Sequence, residues 1–471
     1  MTQKITIIGG GPGGYTAAFE AAKAGAEVTM VEAASLGGTC LNWGCIPTKS
    51  LKASADALDI AHRLREFGIA GQGQATADME AIVARKDKIL ATLRGGLEKT
   101  CAERKVRVLY GMARVVSANL VRVRTPEGET QEIAGDKVII ATGSRDLDLP
   151  MLPVDHTTIL TSSDALALDS IPERLAIIGG GVIGCELACI FQTFGSKVTL
   201  VEGLERILPL PSVDRDISKL MQREMKKRKI ACEVCRTATH AEVTQAGVSL
   251  TLGPSPFLDN VPASAQKEKV VEADAVLVAV GRVPNTKDLG LAEAGVTTDT
   301  RGWIAVDDFC QTSQSGIYAI GDVLGPTKAM LAHVAAMEGC VAARNCLGHE
   351  QRMRYDVIPA AVFTTPEVAT VGLSEEQAIQ QGYTVNCVQR QFRQLGKAQA
   401  MGEIGGVVKL VVDADSGTLL GAHLAGAHVT EIIAEPTLAL QLGAAGEDIA
   451  RTIHAHPTLA EGLFEAAHLL E

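Results

Sequence analysis

Aromatic residues are scarce in this chain, with two Trp, five Tyr and nine Phe among 471 residues. The core must therefore rest on Ala, Val, Ile and Leu. No run approaches the ~18 consecutive apolar residues that a membrane-spanning helix needs. Basic charge is also short: 44 Lys and Arg stand against 55 Asp and Glu, for a net charge of −11. That balance argues against a phosphate-tracking nucleic-acid binder and otherwise bears on solubility. The opening MTQKITIIGGG has no charged leader, long apolar stretch or cleavage site, so a cytoplasmic location is expected. A hydrophobic fraction of 46% with 21% charged residues is ordinary for a globular protein. The length predicts two to four domains.

Glycine and cysteine are abundant, at 47 and 11 residues. Cys101, Cys310, Cys340, Cys346 and Cys387 are scattered and read as small buried hydrophobes. Cys185 and Cys189 stand four apart on a predicted helix, a common core spacing. Cys232 and Cys235 form a C-x-x-C, redox-active or metal-binding in other settings. Neither a second pair nor a histidine cluster completes a zinc site beside it, and no metal is expected.

The chain carries an internal repeat. KITIIGGGPGGYTAAFEAAKAGAEVTMVE (Lys4 to Glu32) resembles RLAIIGGGVIGCELACIFQTFGSKVTLVE (Arg174 to Glu202). Each has a β-branched run, then G-x-G-x-x-G at Gly9, Gly11, Gly14 or Gly179, Gly181, Gly184, then a helical stretch and a second strand ending in Glu. The first glycine makes a tight turn, the second lets a pyrophosphate approach the backbone, and the third packs helix on strand. The helix N-terminus then offers N–H groups and a positive dipole end to the phosphates. Twenty-three residues separate Gly9 from Glu32, and 23 separate Gly179 from Glu202. A carboxylate at that position suits a ribose 2′-hydroxyl and repels a 2′-phosphate, so the second copy favours NAD over NADP.

The segment GGTCLNWGCIPTKS (Gly37 to Ser50) follows the first copy and spaces Cys40 and Cys45 as C-x4-C. Five residues of regular helix rise ~7.5 Å and leave the side chains out of line. A disulfide wants its Cα atoms within about 4.4–6.8 Å. A bonded pair therefore requires a bend, with Cys45 at a helix start and Cys40 in the turn before it. Gly37, Gly38 and Gly44 supply the freedom. A helix N-terminus lowers a thiol pKa, and thiolate is the reactive form. Spacing alone leaves two unrelated buried cysteines as an open alternative.

GGTCLNWGCIPTK resembles the active-site signature of the pyridine nucleotide–disulfide oxidoreductases. Similar matches run along the chain: ATGS (Ala141 to Ser144), AVGRVPN (Ala279 to Asn285), GIYAIGDV (Gly316 to Val323), MLAH (Met330 to His333), IPAAVFTTPEVATVG (Ile358 to Gly372) and HAHPTLAE (His454 to Glu461). The resemblance implies a redox disulfide between Cys40 and Cys45, with Cys40 toward the substrate and Cys45 toward a flavin. It implies one FAD per subunit, held by Gly9, Gly11, Gly14, Glu32, Gly38, Thr39, Lys49, Ala113, Thr142, Gly143, Ser144, Asp322, Met330, Leu331, Ala332 and His333. It implies NAD at Gly179, Gly181, Gly184, Glu186, Glu202 and Gly281. Asp322 would meet the ribitol, and Lys49, paired with Glu186, would lie near the flavin ring. His456 would be the base, oriented by Glu461 and acting on the dithiol of the partner subunit in a homodimer. His454 reads as structural.

Within the family, CLNWGCIPTK and the NAD preference of Glu202 resemble the dihydrolipoamide dehydrogenase branch. Glutathione and mercuric reductases use NADP, and this chain lacks the terminal vicinal cysteines of the latter. The implied reaction oxidises protein-bound dihydrolipoamide to lipoamide and reduces NAD. The implied partner is the lipoyl domain of a 2-oxoacid dehydrogenase complex or a glycine-cleavage H protein, with no nucleic acid or membrane. Trp43, Ala33 and Ala113 depart from the usual pattern. An NAD-linked reductase of the same fold, acting on another disulfide, a metal ion or a quinone, remains an alternative. A non-catalytic flavoprotein is a third reading, against which the base motif argues.

The expected fold is α/β, with two Rossmann-like dinucleotide-binding domains and a C-terminal α+β dimerisation domain. The segments are 1–148 (FAD, first part), 149–281 (NAD), 282–346 (FAD and central, second part) and 347–471 (dimerisation). The last should carry strands such as Val407 to Val412 and helices around Glu431 to Leu442. Gly253 to Lys269 reads as an inserted surface loop.

Overall fold

The structure is a computed structural model that describes residues 2–71, 75–245 and 247–470. The chain divides into two compact units. One comprises residues 1–50, 84–147 and 281–355; the other comprises 51–83, 148–280 and 356–471.

The first unit is built on a five-stranded parallel sheet in the order Ile317–Ala319, Lys137–Ile140, Lys4–Ile8, Glu27–Glu32, Arg107–Tyr110. Its central strand reads KITII, with four consecutive residues buried. An unbroken apolar run of this kind fits a strand covered on both faces. Helix α1 (Pro12–Lys23) connects the two strands of the first repeat. It packs on the helix Ala332–Cys346 through small residues, since a Cβ at Gly339 would lie 2.5 Å from the Gly13 carbonyl oxygen. Two further helices follow in quick succession, α2 (Gly38–Asn42) and α3 (Cys45–His62).

The second unit repeats the plan, which explains the duplicated sequence. Its parallel sheet runs Ala231–Val234, Lys197–Glu202, Arg174–Ile178, Ala275–Val278, Ile159–Leu160. The register repeats as well: Lys4 lies opposite Glu27, and Arg174 opposite Lys197. Even the start of the central strand is held alike. Asp136 accepts the Lys4 N–H at 2.7 Å, and Asp274 accepts the Arg174 N–H at 2.8 Å. Each unit also has a three-stranded antiparallel excursion: Met112–Ser117, Leu120–Arg124 and Thr130–Ala134 in the first, Arg236–Thr244, Gly247–Pro254 and Lys269–Ala273 in the second. Gly253 to Lys269 therefore begins inside a strand of this excursion and carries a short helix, Ala263–Gln266, before the last strand.

The predicted helix of Cys185 and Cys189 is Val182–Phe194, and both thiols are buried in the core beneath the second sheet. Cys232 packs against that same core, and burial, with the nearby Cys189, pushes its thiol up to about 12. Cys235 lies beyond the strand end in a left-handed conformation, φ +59°. Burial, then the Glu205 charge, raise its thiol.

The C-terminal part of the second unit is an antiparallel sheet ordered Ala360–Val362, Glu367–Gly372, Leu419–Gly426, Val407–Asp413, Val385–Gln391. The expected helical stretch is two helices, Val429–Ile432 and Ala434–Leu442. Lys409 is 1% exposed on this sheet, where an ammonium would be costly without partners. It donates to Asp214 and Asp216 at 3.0 Å each and to Glu375 at 2.6 Å. Asp214 also N-caps the helix Arg215–Lys227, so one buried cation ties that helix to the sheet. Among the described residues no helix is long and apolar enough to cross a membrane.

Removing one partner of such a cluster leaves uncompensated buried charge. Lys409→Ala is expected to destabilise the second unit by about 3 kcal/mol, lowering the urea midpoint. An unchanged midpoint would show that the three carboxylates do not depend on the ammonium.

Candidate functional site

Both phosphate turns are shaped by contacts that exclude side chains. Gly9 stands at φ +109°, and a Cβ there would lie 2.2 Å from the Ala141 carbonyl oxygen. A Cβ on Gly14 would lie 1.8 Å from the Gly9 oxygen, so α1 starts hard against the strand. The second copy matches: Gly179 at φ +112° is 2.3 Å from the Ala279 oxygen, and Gly184 is 1.9 Å from the Gly179 oxygen by the same construction. The middle glycines differ. A Cβ on Gly181 meets nothing within 4 Å, and one on Gly11 meets only the Gly38 Cα, at 3.8 Å. Gly11 and Gly181 N-cap their helices without a side-chain cap. Open space over uncapped helix N–H groups is what a pyrophosphate requires, so both cradles fit a dinucleotide.

Glu32 and Glu202 also close these turns. Glu32 accepts the Gly10 N–H at 2.7 Å and the Ala34 N–H at 2.8 Å. Glu202 accepts the Gly180 N–H at 2.7 Å and the Leu204 N–H at 2.8 Å. Each carboxylate thus ties the glycine loop to its own strand end and keeps lone pairs for a ribose hydroxyl.

The dithiol segment is anchored to the first cradle. The Gly37 N–H donates to the Gly10 oxygen at 2.8 Å, and a Cβ on Gly38 would lie 2.7 Å from the Gly11 Cα. Gly37 and Gly38 take φ +100° and +57°, turning the chain into α2. Cys40 lies within this five-residue helix rather than in a turn, because the left-handed glycines place the bend before it. A second break follows Trp43, and Cys45 is the first residue of α3. Asn42 holds the short helix by donating to the Leu36 and Gly38 oxygens, 3.0 Å each. Thr39 lies in the same helix, and its oxygen accepts the Trp43 N–H at 2.9 Å.

Cys40 and Cys45 share a side-chain hydrogen bond. That bond, then burial, then the charge on Cys45 push the Cys40 thiol well above its usual range, while Lys49 opposes them. Two adjacent thiolates repel, so the pair keeps a proton between its sulfurs. Lys49 stands one helical turn beyond Cys45. Tyr15, unremarked in the sequence, lies beside the pair: burial, then Cys40 and Cys45, raise its phenol. Its position directly after Gly14 was the available signal.

A second group of residues gathers beyond the sheet. Ser144 donates to Asp322 at 2.7 Å, and Arg282 donates to the Ser144 hydroxyl at 2.6 Å, the Ser144 carbonyl at 2.8 Å and Asp146 at 2.8 Å. Arg282 was not foreseen. It follows Gly281, which lies at φ +138°, and the strand Arg282–Pro284 pairs antiparallel with Ser144–Asp146. Gly143 is left-handed, φ +68°, and accepts the Asn285 N–H at 3.0 Å. Among the described residues the buried Thr142 hydroxyl has no hydrogen-bond partner, an orphan donor that a bound cofactor would satisfy. Leu331 N-caps the helix that Ala332 begins, with Met330 before it and His333 in its first turn. Ala113 lies in the strand Met112–Ser117.

The remaining candidates belong to the second unit. Glu186 is 3% exposed in the helix Val182–Phe194 and accepts the Phe363 N–H at 2.8 Å. His456 Nδ1 lies 2.8 Å from Glu461 Oε1, and Glu461 Oε2 accepts the Thr458 N–H at 2.8 Å. The Thr458 N–H first, and His456 next, hold the Glu461 carboxyl below its usual range. With Nδ1–H donated to this carboxylate, Nε2 is left as the basic nitrogen. The His456 side chain is 77% exposed. His454 is largely enclosed, between Glu435 at 2.9 Å and the Thr452 oxygen at 2.8 Å.

Residues 3–339 match the family described as pyridine nucleotide-disulphide oxidoreductase, and residues 358–467 match its dimerisation domain. The chain is 39% identical to a dihydrolipoyl dehydrogenase of Haloferax volcanii, over 98% of this chain and 95% of that one. It is 40% identical to the dihydrolipoyl dehydrogenase of Geobacillus stearothermophilus, with 98% and 95% covered. A leghemoglobin reductase of Glycine max is 38% identical, with 98% and 86% covered. Among solved structures, LpdA from Mycobacterium tuberculosis superposes with a TM-score of 0.90 at 27% identity, both chains being covered fully. The chain belongs to the pyridine nucleotide-disulphide oxidoreductase family and includes its dimerisation domain.

Proposed function

We propose that this protein is an enzyme that oxidises protein-bound dihydrolipoamide to lipoamide, with FAD as resident cofactor and NAD as final acceptor. The observation that carries the reading is the pairing of two functional sets in one chain: a hydrogen-bonded dithiol anchored on one dinucleotide cradle, and a His–Glu base on the dimerisation domain. The relatives named dihydrolipoyl dehydrogenase, 38–41% identical over 98% of this chain, support lipoamide as the substrate. Glu202 and the absence of an arginine directly after it support NAD.

A substrate thiol is mostly protonated at neutral pH, and attack on a disulfide needs the thiolate. His456 takes that proton on Nε2, and the ionised Glu461 holds Nδ1–H and stabilises the resulting imidazolium. The substrate sulfur then bonds to Cys40, the Cys40–Cys45 bond breaks, and Cys45 leaves as thiolate. The second substrate sulfur closes the lipoamide ring by expelling Cys40, so one disulfide is formed and one is reduced. Lys49 beside the pair offsets the charge that accumulates on it. Bound FAD supplies the two-electron link from this dithiol to NAD. Gly9, Gly11 and Gly14, with Glu32, would hold its ADP portion; Thr142, Ser144 and Asp322 would contribute further contacts, with Ser144 and Asp322 oriented by Arg282. Gly179, Gly181, Gly184 and Glu202 hold NAD. The base is contributed to the dithiol of the second copy in a homodimer, and the dithiol carrier is a lipoyl domain.

An anaerobic assay with NAD and dihydrolipoamide should yield NADH. No turnover, beside brisk reduction of another acceptor by NADH, would move the assignment to a different substrate. Cys45→Ser should abolish lipoamide turnover yet keep bound FAD; loss of FAD would make that residue structural. His456→Gln should lower kcat by roughly 10²–10⁴-fold with FAD retained, and an unaffected kcat would remove it from the mechanism. Gly184→Ala should raise the KM for NAD without altering FAD content, because its contact with Gly179 shapes only the second cradle; loss of flavin in that variant would contradict the division of the two turns.

A further inference from the structure

Glu338 is 1% exposed on the helix Ala332–Cys346 and has no part in the dithiol exchange. Its Oε2 accepts the Gly321 N–H at 2.6 Å, and its Oε1 accepts the Tyr355 hydroxyl at 2.8 Å. Gly321 stands at φ +75° and opens the short 3-10 turn Gly321–Leu324. The next residue, Asp322, accepts from Ser144. The carboxyl thus grips from below the turn whose next side chain joins the proposed flavin contacts. We infer that Glu338 is a positioning residue for FAD, which fixes the Gly321–Asp322 turn and shares a titratable proton with Tyr355. The inference rests on the assignment of that turn to FAD.

The pair is satisfied in either protonation state. A tyrosine hydroxyl both donates and accepts. As carboxylate, Glu338 accepts from Tyr355; as acid, it donates to the Tyr355 oxygen while Oε2 keeps the Gly321 N–H. The groups facing it are mostly of one sign. Asp322 and the Cys310 thiol stand near, Asp308 acts on Tyr355, and Lys328 is the opposing cation, 3.8 Å over the Tyr355 ring. Burial pushes the Glu338 carboxyl up to about 7, against the pull of Gly321, Tyr355 and Lys328. Burial and the neighbouring Glu338 likewise lift the Tyr355 phenol.

The sign follows from linkage. A raised carboxyl favours the folded state fully below its unfolded value, near 4.5, and that contribution is lost as pH rises through about 7. Seating an anionic dinucleotide against the turn adds negative charge and favours the protonated form further. FAD is therefore held more tightly below about pH 7 than above it.

The test is FAD release from the holoenzyme, followed by recovery of free-flavin fluorescence between about pH 6 and about pH 8.5. Release from the wild type should quicken as pH passes through 7. Glu338→Gln is permanently neutral, accepts from Gly321 and donates to Tyr355, so its release should be slow and flat with pH. Glu338→Ala leaves the Gly321 N–H unsatisfied and should release FAD about tenfold faster throughout. A Glu338→Gln variant with the wild-type pH slope would overturn the inference, as would Glu338→Ala holding FAD like the wild type. Should the alanine variant not fold by circular dichroism, the glutamine profile decides alone. Wild-type protein that neither carries nor takes up FAD would overturn the cofactor assignment, and this inference with it.

Discussion

In both nucleotide-binding turns the third glycine lies against the carbonyl of the first, close enough that a Cβ would stand under 2 Å from that oxygen. Any side chain would push the helix off the strand. With glycine, the helix starts at the sheet edge and its uncapped N–H groups converge on the space above the middle glycine. A negative ligand then meets partial positive charge from a helix end rather than a lysine or arginine. That arrangement is compatible with an acidic chain that still binds pyrophosphates.

The dithiol inherits its place from the same constraint. Gly37 bonds to Gly10, and Gly38 packs on Gly11, so the segment carrying Cys40 is tied to the cradle by backbone alone. The break at Trp43 and Gly44 then separates α2 from α3, and Cys40 and Cys45 come into hydrogen-bond contact despite a spacing unsuited to one helix. Proximity creates the chemistry: adjacent sulfurs cannot both ionise, so the reduced pair retains a proton, and the first turn of α3 supplies Lys49 to stabilise the charge that remains.

Much of this was legible in the sequence because it depends on local spacing. The glycine triplets, the strand-ending glutamates and HPT-x-x-E each lie within one turn or one β-α-β unit, where residue type fixes backbone conformation directly. Arg282 and Glu338 were not legible in that way. Arg282 meets Ser144 across 138 positions, and Glu338 meets Gly321 across 17, through a helix whose sequence looks like ordinary core. Such pairings follow from topology, which a local pattern does not encode. Neither antiparallel excursion was legible: Met112 to Ala134 and Arg236 to Ala273 lie outside the duplicated segments, although both build three strands. The C-x-x-C of Cys232 and Cys235 was set aside in the sequence for want of a second pair or a histidine cluster, and a left-handed Cys235 sends the two thiols to different surroundings.

The base and the dithiol show opposite solutions to handling a proton. The sulfurs are half-buried, so each negative charge is costly and the pair is limited to what Lys49 and its own shared proton can balance. His456 is 77% exposed, yet its tautomer is set by a carboxylate that is only 18% exposed and is itself held by the Thr458 backbone. The Glu461 contact leaves Nε2 as the basic nitrogen.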